Sequence, residues 1–358
     1  MDVENNVVSV CLHERLQWMS EQDLTTSQKS SIWLETRHSM ITASDVHKCL
    51  SSEAQRNGLI RDKIHPKSLQ VSASSLEHGN LFEPVARRFY EILRGCQTIQ
   101  EYGCLRHRDI PFIGASPDGA VTDINSPYYG SLLEIKVPKS RELCLHERYI
   151  PIAYWEQMQI QMEVTELPCC DYLECKVGIF ETQKDYEEYD SFEFYKGLLV
   201  HFRSPSGDDT YDVWIHQVNK EEDYDAFVLR KEREMRDQCT GLLIKILFWR
   251  IENYFLATVK RDIPWFTDFA LPRVKNAWSE IEEGRKNPGT SKKQTTKKRP
   301  CKTGIVDDPV FPSEVESISN TTFEMDDNLS SKEPRSSSPM KIPVPLIFID
   351  TSMCNEKA

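Results

Sequence analysis

Apolar residues recur at helical spacing in several stretches of the chain. From Leu81, the set Phe82, Val85, Ala86, Phe89, Tyr90 and Leu93 predicts a helix reaching Arg94. Glu83 falls near its start, directly before Pro84, which a first turn tolerates. Pro151 to Val164 predicts another helix, with Ile152, Trp155, Met158, Ile160 and Met162 as its apolar set. Tyr154, Gln157 and Gln161 share one face beside them. Shorter helical patterns run from Leu12 to Met19, from Ile32 to Arg37, and from Thr42 to Leu50. Glu221 to Tyr254 and Ile263 to Glu283 are long enough and apolar enough to be read as helices as well. Residues 51–75, Ser-rich and without period, read as irregular.

Strand patterns occupy other stretches. Leu132 to Val137 is rich in branched and apolar residues and is bounded by Gly130 and Pro138. Thr98 to Arg106, Pro111 to Ala115, Cys170 to Phe180, Phe192 to Phe202 and Tyr211 to Val218 are further strands. The elements predict a mixed α/β fold: a central sheet flanked by helices. Residues 1–30 form an N-terminal extension, and 31–284 the folded domain. Residues 285–358, rich in Lys, Ser, Thr and Pro, form a tail too polar to build a core.

Composition changes this picture in three ways. The 358 residues are 39% hydrophobic, enough for a substantial core. No apolar run approaches the ~18 residues of a membrane helix. MDVENN does not resemble a secretory signal, and eleven cysteines without a CxxC read as reduced thiols. An intracellular protein is expected. The net charge of −12 is uneven: residues 285–302 contribute +8 and 303–358 contribute −6, which leaves 1–284 at −14. Any nucleic-acid binding must therefore use a local basic channel. The run KKQTTKKRP, with its charges at 292–299, reads as a nuclear address, a nonspecific nucleic-acid contact or a solvated linker. The terminal PVPLIFID is a short docking candidate.

Chemistry concentrates between Gly114 and Pro138, GASPDGAVTDINSPYYGSLLEIKVP. Asp118 follows a Ser-Pro turn, and Gly119 is read as supplying a positive φ. Residues 124–130 form a hairpin loop leading to Glu134 and Lys136, which project from one face of their strand. A charged residue in such a buried strand is costly unless paired or bound to metal. The plain alternative is a Glu134–Lys136 salt bridge. Two carboxylates and a lysine at a sheet edge suit a hard cation such as Mg2+, with Mn2+ as substitute. Thr42 is an N-cap, with Asp45 three residues later approximating a capping box. With Arg37 and Ser44 nearby, that helix start is either an anion site or simple capping. Glu83 is a dipole partner or an outer metal ligand. The polar stripe on the Pro151 helix is a solvated face or a row of amides for phosphate or water.

Four ordered blocks, TRHSMITASDV, GNLFEPVARRFYE, GASPDG…LLEIKVP and YWEQMQIQM, give the chain a resemblance from Ser31 to Val164. It resembles the lambda-type exonucleases, or YqaJ-like viral recombinases, of the PD-(D/E)XK nuclease superfamily. LFWRIENYF and FTDFALP also look like family members from large DNA viruses. The resemblance implies a restriction-endonuclease-like sheet and a Mg2+-dependent 5′-to-3′ exonuclease acting on ends of linear duplex DNA. It implies Asp118, Glu134 and the Ile135 backbone carbonyl as metal ligands, and Lys136 as the residue that positions the attacking water. Glu83 and Gln157 join them as catalytic residues. Arg37, Ser44 and Ser116, with Tyr154 and Gln157, are implied as contacts to DNA and its 5′-phosphate. A homotrimer and a strand-annealing partner are also implied. The alternatives are an endonuclease of the same fold and a DNA-end-binding module without activity.

Overall fold

The computed structural model describes residues 2–22, 31–66, 74–96, 99–143, 150–189, 195–238 and 240–287. In chain order these residues form α1 (Asp2–Gln22), α2 (Ser31–His38), β1 (Ile41–Thr42), α3 (Ala43–Leu50), α4 (Glu53–Ile64) and α5 (Ser74–Arg94). There follow β2 (Ile99–Gln100), β3 (Leu105–Arg106), β4 (Ile113–Ala115), β5 (Gly119–Val121), β6 (Leu132–Lys136), α6 (Ile152–Thr165) and β7 (Cys169–Ile179). The described chain closes with α7 (Gln183–Glu188), β8 (Lys196–Arg203), β9 (Asp209–Ile215), α8 (Tyr224–Asp237) and β10 (Leu242–Lys260). A π-helical turn (Trp265–Ala270) then runs into α9 (Leu271–Lys286).

The main sheet has seven strands in the order β2-β5-β6-β7-β10-β8-β9. It is mixed: β6 and β7 run parallel, joined by α6, while the other neighbours are antiparallel. A second sheet of three strands, β1-β4-β3, carries the entry to α3. This is the helix-flanked mixed sheet expected from the sequence.

The period-two pattern of β6 sorts its residues to two cores. Leu133, Ile135 and Val137 pack with α5 through Phe82, Val85, Phe89 and Tyr90. Leu132 packs on the other face, with Met158, Ile160 and Met162 of α6 and Tyr172 of β7. Glu134 and Lys136 share the α6 face, since alternate strand residues point the same way. Apolar burial on both faces is what a parallel, internal strand requires. Leu16 and Met19 of α1 are buried in the α6-side cluster, so the N-terminal helix packs into this core.

Four expectations need correction. The stretch 221–254 is not one helix. It holds α8 and then most of β10, a nineteen-residue strand. Its apolar run is long enough for a helix, but Ile, Phe, Trp, Tyr, Thr and Val favour the pleated surface between β7 and β8. Residues 51–75 are not irregular throughout, because Glu53–Ile64 is α4, capped where Ser52 Oγ accepts from the Gln55 N–H. α4 buries only Leu59, Ile60 and Lys63, too few to show a period. Glu83 does not lie near a helix start, because α5 begins at Ser74 and Pro84 sits inside it. Gly119 does not adopt a positive φ. Its Cβ would lie 2.4 Å from Ile99 Cγ2, so close approach of β2, and not turn geometry, requires glycine there.

The basic run 292–299 and PVPLIFID lie outside the described residues. Among the described residues, no helix is long and apolar enough to cross a membrane.

Candidate active site

The end of β5 organises the site. The Asp118 N–H donates to Leu133 O at 3.1 Å, and Gly119 pairs with Leu133. The ladder stops there, and on the β5 side Ile135 of β6 has no strand partner. Its N–H donates instead to Asp118 Oδ2 at 2.7 Å. A strand residue's N–H and C=O point to the same edge. The Ile135 carbonyl therefore faces the side from which Asp118 projects.

Glu134, fully buried, sits one residue earlier on the α6 face. Gln157 donates to its Oε1 at 2.7 Å and Gln161 to its Oε2 at 2.6 Å. Lys136 pairs with Oε1 as well. The polar stripe of α6 is thus not a solvated face: it is the lid over a buried carboxylate. Tyr154, on the same stripe, places its ring 4.8 Å from the Lys136 ammonium. Each donor lowers the cost of keeping Glu134 out of water.

Charge is unbalanced here. Burial pushes the Asp118 carboxyl well above the usual carboxylate range, and the nearby Glu134 and Glu83 push it further. Lys136 and the Ile135 N–H pull the other way without restoring it. Burial alone would lower the Lys136 ammonium, but Glu134 and Asp118 raise it above its ordinary value, so it stays charged at neutral pH. Glu83 reaches in from α5, where Arg87 pairs with it at 2.9 Å.

Three carboxylates against the Lys136 ammonium and the Arg87 guanidinium leave a negative excess that a divalent cation would neutralise. Among the described residues, no cluster of three His, Cys, Asp or Glu side chains forms a ready cage. The oxygen donors at hand are the Asp118 and Glu134 carboxylates and the Ile135 carbonyl, and Mg2+ is an ion that takes one or two carboxylates and keeps its waters.

A second group assembles around α2 and α3. Arg37 Nη2 donates to Ser44 Oγ at 2.7 Å, and the Arg37 guanidinium lies 4.4 Å from the centre of the Trp33 ring. Trp33 Nε1 donates to Ser116 Oγ at 3.1 Å. Ser116, far from Arg37 and Ser44 in sequence, is therefore linked to them through Trp33. At the α3 start, Thr42 donates from N–H and hydroxyl to Asp45 Oδ2, at 3.3 and 2.8 Å.

Sequence reasoning missed several neighbours. Trp33 is one turn before Arg37, a spacing that could have suggested the stack. Glu174 and Tyr172 of β7 pair in register with Lys136 and Glu134, and Arg141 forms an ion pair with buried Glu174. Burial raises the Glu174 carboxyl, with Arg141 opposing. Only the parallel register brings these residues to the site, and a lone sequence does not reveal register.

Residues 32–168 match the family model of the YqaJ-like viral recombinase domain. The chain is also similar to a protein of Acanthamoeba polyphaga mimivirus described as uncharacterised. The two are 34% identical over 170 residues, which is 44% of this chain and 31% of that protein. The chain thus spans about a third of the length of the curated relative it matches. Among solved structures, it is similar to an alkaline exonuclease from Laribacter hongkongensis: 19% identity, 72% of this chain, 95% of that chain, TM-score 0.43. It is likewise similar to a phage related exonuclease from Haemophilus somnus 129PT: 11% identity, 68% of this chain, 92% of that chain, TM-score 0.37.

Proposed function

We propose that the protein is a Mg2+-dependent deoxyribonuclease that degrades one strand of linear duplex DNA from its 5′ end. The observation that carries this reading is the convergence on Glu134 of Lys136, Gln157 and Gln161, beside an Asp118 crowded by like charge. The YqaJ-like domain over 32–168 and the names of the two exonucleases agree with it.

Phosphodiester hydrolysis needs an activated water, neutralisation of charge on the phosphoryl oxygens, and help for the leaving oxygen. A bound divalent ion supplies Lewis acidity and lowers the pKa of a coordinated water. The protein's own part follows from its geometry. Asp118, Glu134 and the Ile135 carbonyl would hold the ion. Lys136, held cationic, is no base; it orients the nucleophile and stabilises negative charge as it develops. Gln157 and Gln161 hold Glu134 in one rotamer, and Glu83 adds negative charge from α5. Arg37, Ser44 and Ser116 receive a terminal 5′-phosphate, which an enzyme cutting internally would not need.

Digestion of 5′-phosphorylated linear duplex beside a covalently closed circle, with Mg2+ or with chelator, tests this. Loss of the linear form alone, only with metal, is expected. A cut circle would make the protein an endonuclease, and no cleavage of either would leave an end-binding module.

A further inference from the structure

Arg37 stands one residue from the end of α2, and that end is held in an unusual way. The last carbonyls of a helix lack partners inside it and carry partial negative charge. Lys63, near the end of α4, is buried, at 6% exposure. Its Nζ donates to Arg37 O at 2.8 Å and lies 2.8 Å from Asp45 Oδ2. Arg285, in the last turn of α9, donates from Nη2 to His38 O at 2.7 Å and to Lys63 O at 3.0 Å. Its guanidinium rests 5.2 Å from the Trp278 ring centre. Gly284, beside it, packs on Ile64: a Cβ there would lie 2.2 Å from Ile64 Cδ1.

The contacts form one line. Arg285 fixes the ends of α2 and α4. Lys63 ties the α2 end to Asp45, and Asp45 is bound to Thr42 at the start of α3. The Arg37–Ser44 hydrogen bond spans the same gap on the pocket side. The spacing between Arg37 and the α3 start is thus set by residues that never reach the pocket. Burial, and then Lys63, with smaller contributions from Arg37 and Arg285, hold the His38 imidazole below its usual value, against the opposing pull of Asp45.

We propose that Lys63 and Arg285 are positioning residues for the 5′-phosphate pocket: they lock the α2 end against the α3 start and so set the preference for a phosphorylated 5′ end. The inference rests on the pocket reading of Arg37, Ser44 and Ser116. Displacing a binding group by about 1 Å can cost up to ~10²-fold in rate, so removing either staple should be visible without removing any phosphate ligand.

The test uses the full-length protein and compares rates on linear duplex bearing a 5′-phosphate or a 5′-hydroxyl. Lys63→Met and Arg285→Ala should each lower the phosphate-to-hydroxyl ratio on the order of tenfold, through KM more than kcat. Lys63→Arg should restore most of it. An unchanged ratio in folded Lys63→Met overturns the proposal, as does an equal loss on both ends, which would mean general damage. If Lys63→Met fails to fold, Arg285→Ala at the exposed end of α9 decides by the same readout. Arg37→Ala separates the two levels. A ratio unmoved by Arg37→Ala removes the pocket itself, whereas a ratio moved by Arg37→Ala alone leaves the pocket and removes the positioning role.

Discussion

The carboxylate cluster and the arginine pocket are built on opposite plans. At the cluster, Asp118 stands directly before β5, held by the Ile135 N–H, and Glu134 stands on β6, where α6 closes over it with amides. Its charge is negative in excess, and its backbone is a sheet core packed on both faces. At the pocket, α2, α3, α4 and α9 meet by their ends, and the excess is positive. A sheet core holds acids rigid where an ion must be shared. Helix ends offer partly charged backbone groups that cations can tie together or anions can approach. The comparison teaches that the two sites should fail differently: the first in turnover, the second in choice of substrate.

The largest expected effect breaks the first site alone. Lys136→Ala should lower cleavage by at least ~10²-fold, the scale for losing one donor to a developing charge, with duplex binding kept in a polarisation assay. Turnover retained in that variant would remove the role given to Lys136. Arg37→Ala should do the reverse. Losing a charge-assisted hydrogen bond costs ~1.5–3 kcal/mol, about tenfold or more in the preference for 5′-phosphorylated over 5′-hydroxyl ends. Equal preference before and after would merge the two sites into one.

A smaller effect sharpens the comparison through pH. Burial pushes the Asp45 carboxyl up, but Lys63 and Thr42 outweigh it and hold it at about 2. The folded value is below the unfolded one, so the stabilisation is complete above about pH 4 and is lost as pH falls towards 2. Lys63 is itself lowered, because its burial outweighs the pairing. The pair therefore contributes at most about 2 kcal/mol. Melting curves of wild type and Asp45→Asn should converge in acid, and parallel curves would discount the pair. The smallest effect is that of the tail. Truncation after Asn287 should leave melting temperature and hydrolysis unchanged, because α9 and Arg285 remain. Truncation after Gly284 removes Arg285 and should loosen the pocket.

How much was legible follows the same division. Asp118, Glu134 and Lys136 lie within nineteen residues of one another, on a hairpin whose alternation states which side chains share a face. The α6 stripe was visible at helical spacing, though its target was not. The pocket was harder. Trp33 and Lys63 matter through contacts across α2, β4 and α4, and α4 left no period in the sequence because it buries only three residues. Long apolar β10 misled for a physical reason. It carries apolar residues at exposed positions such as Leu242 and Ile244 as well as at buried ones, so its sequence lacks the alternation that would distinguish it from a buried helix, and only its branched and aromatic side chains argued otherwise.

The central claim is that Asp118 and Glu134 share a divalent ion beside Lys136. Anomalous diffraction from crystals soaked in Mn2+ tests it most directly. A peak within coordination distance of both carboxylates and the Ile135 carbonyl, absent in Asp118→Asn, is the expected result. No peak there, or a peak persisting in that variant, would contradict it.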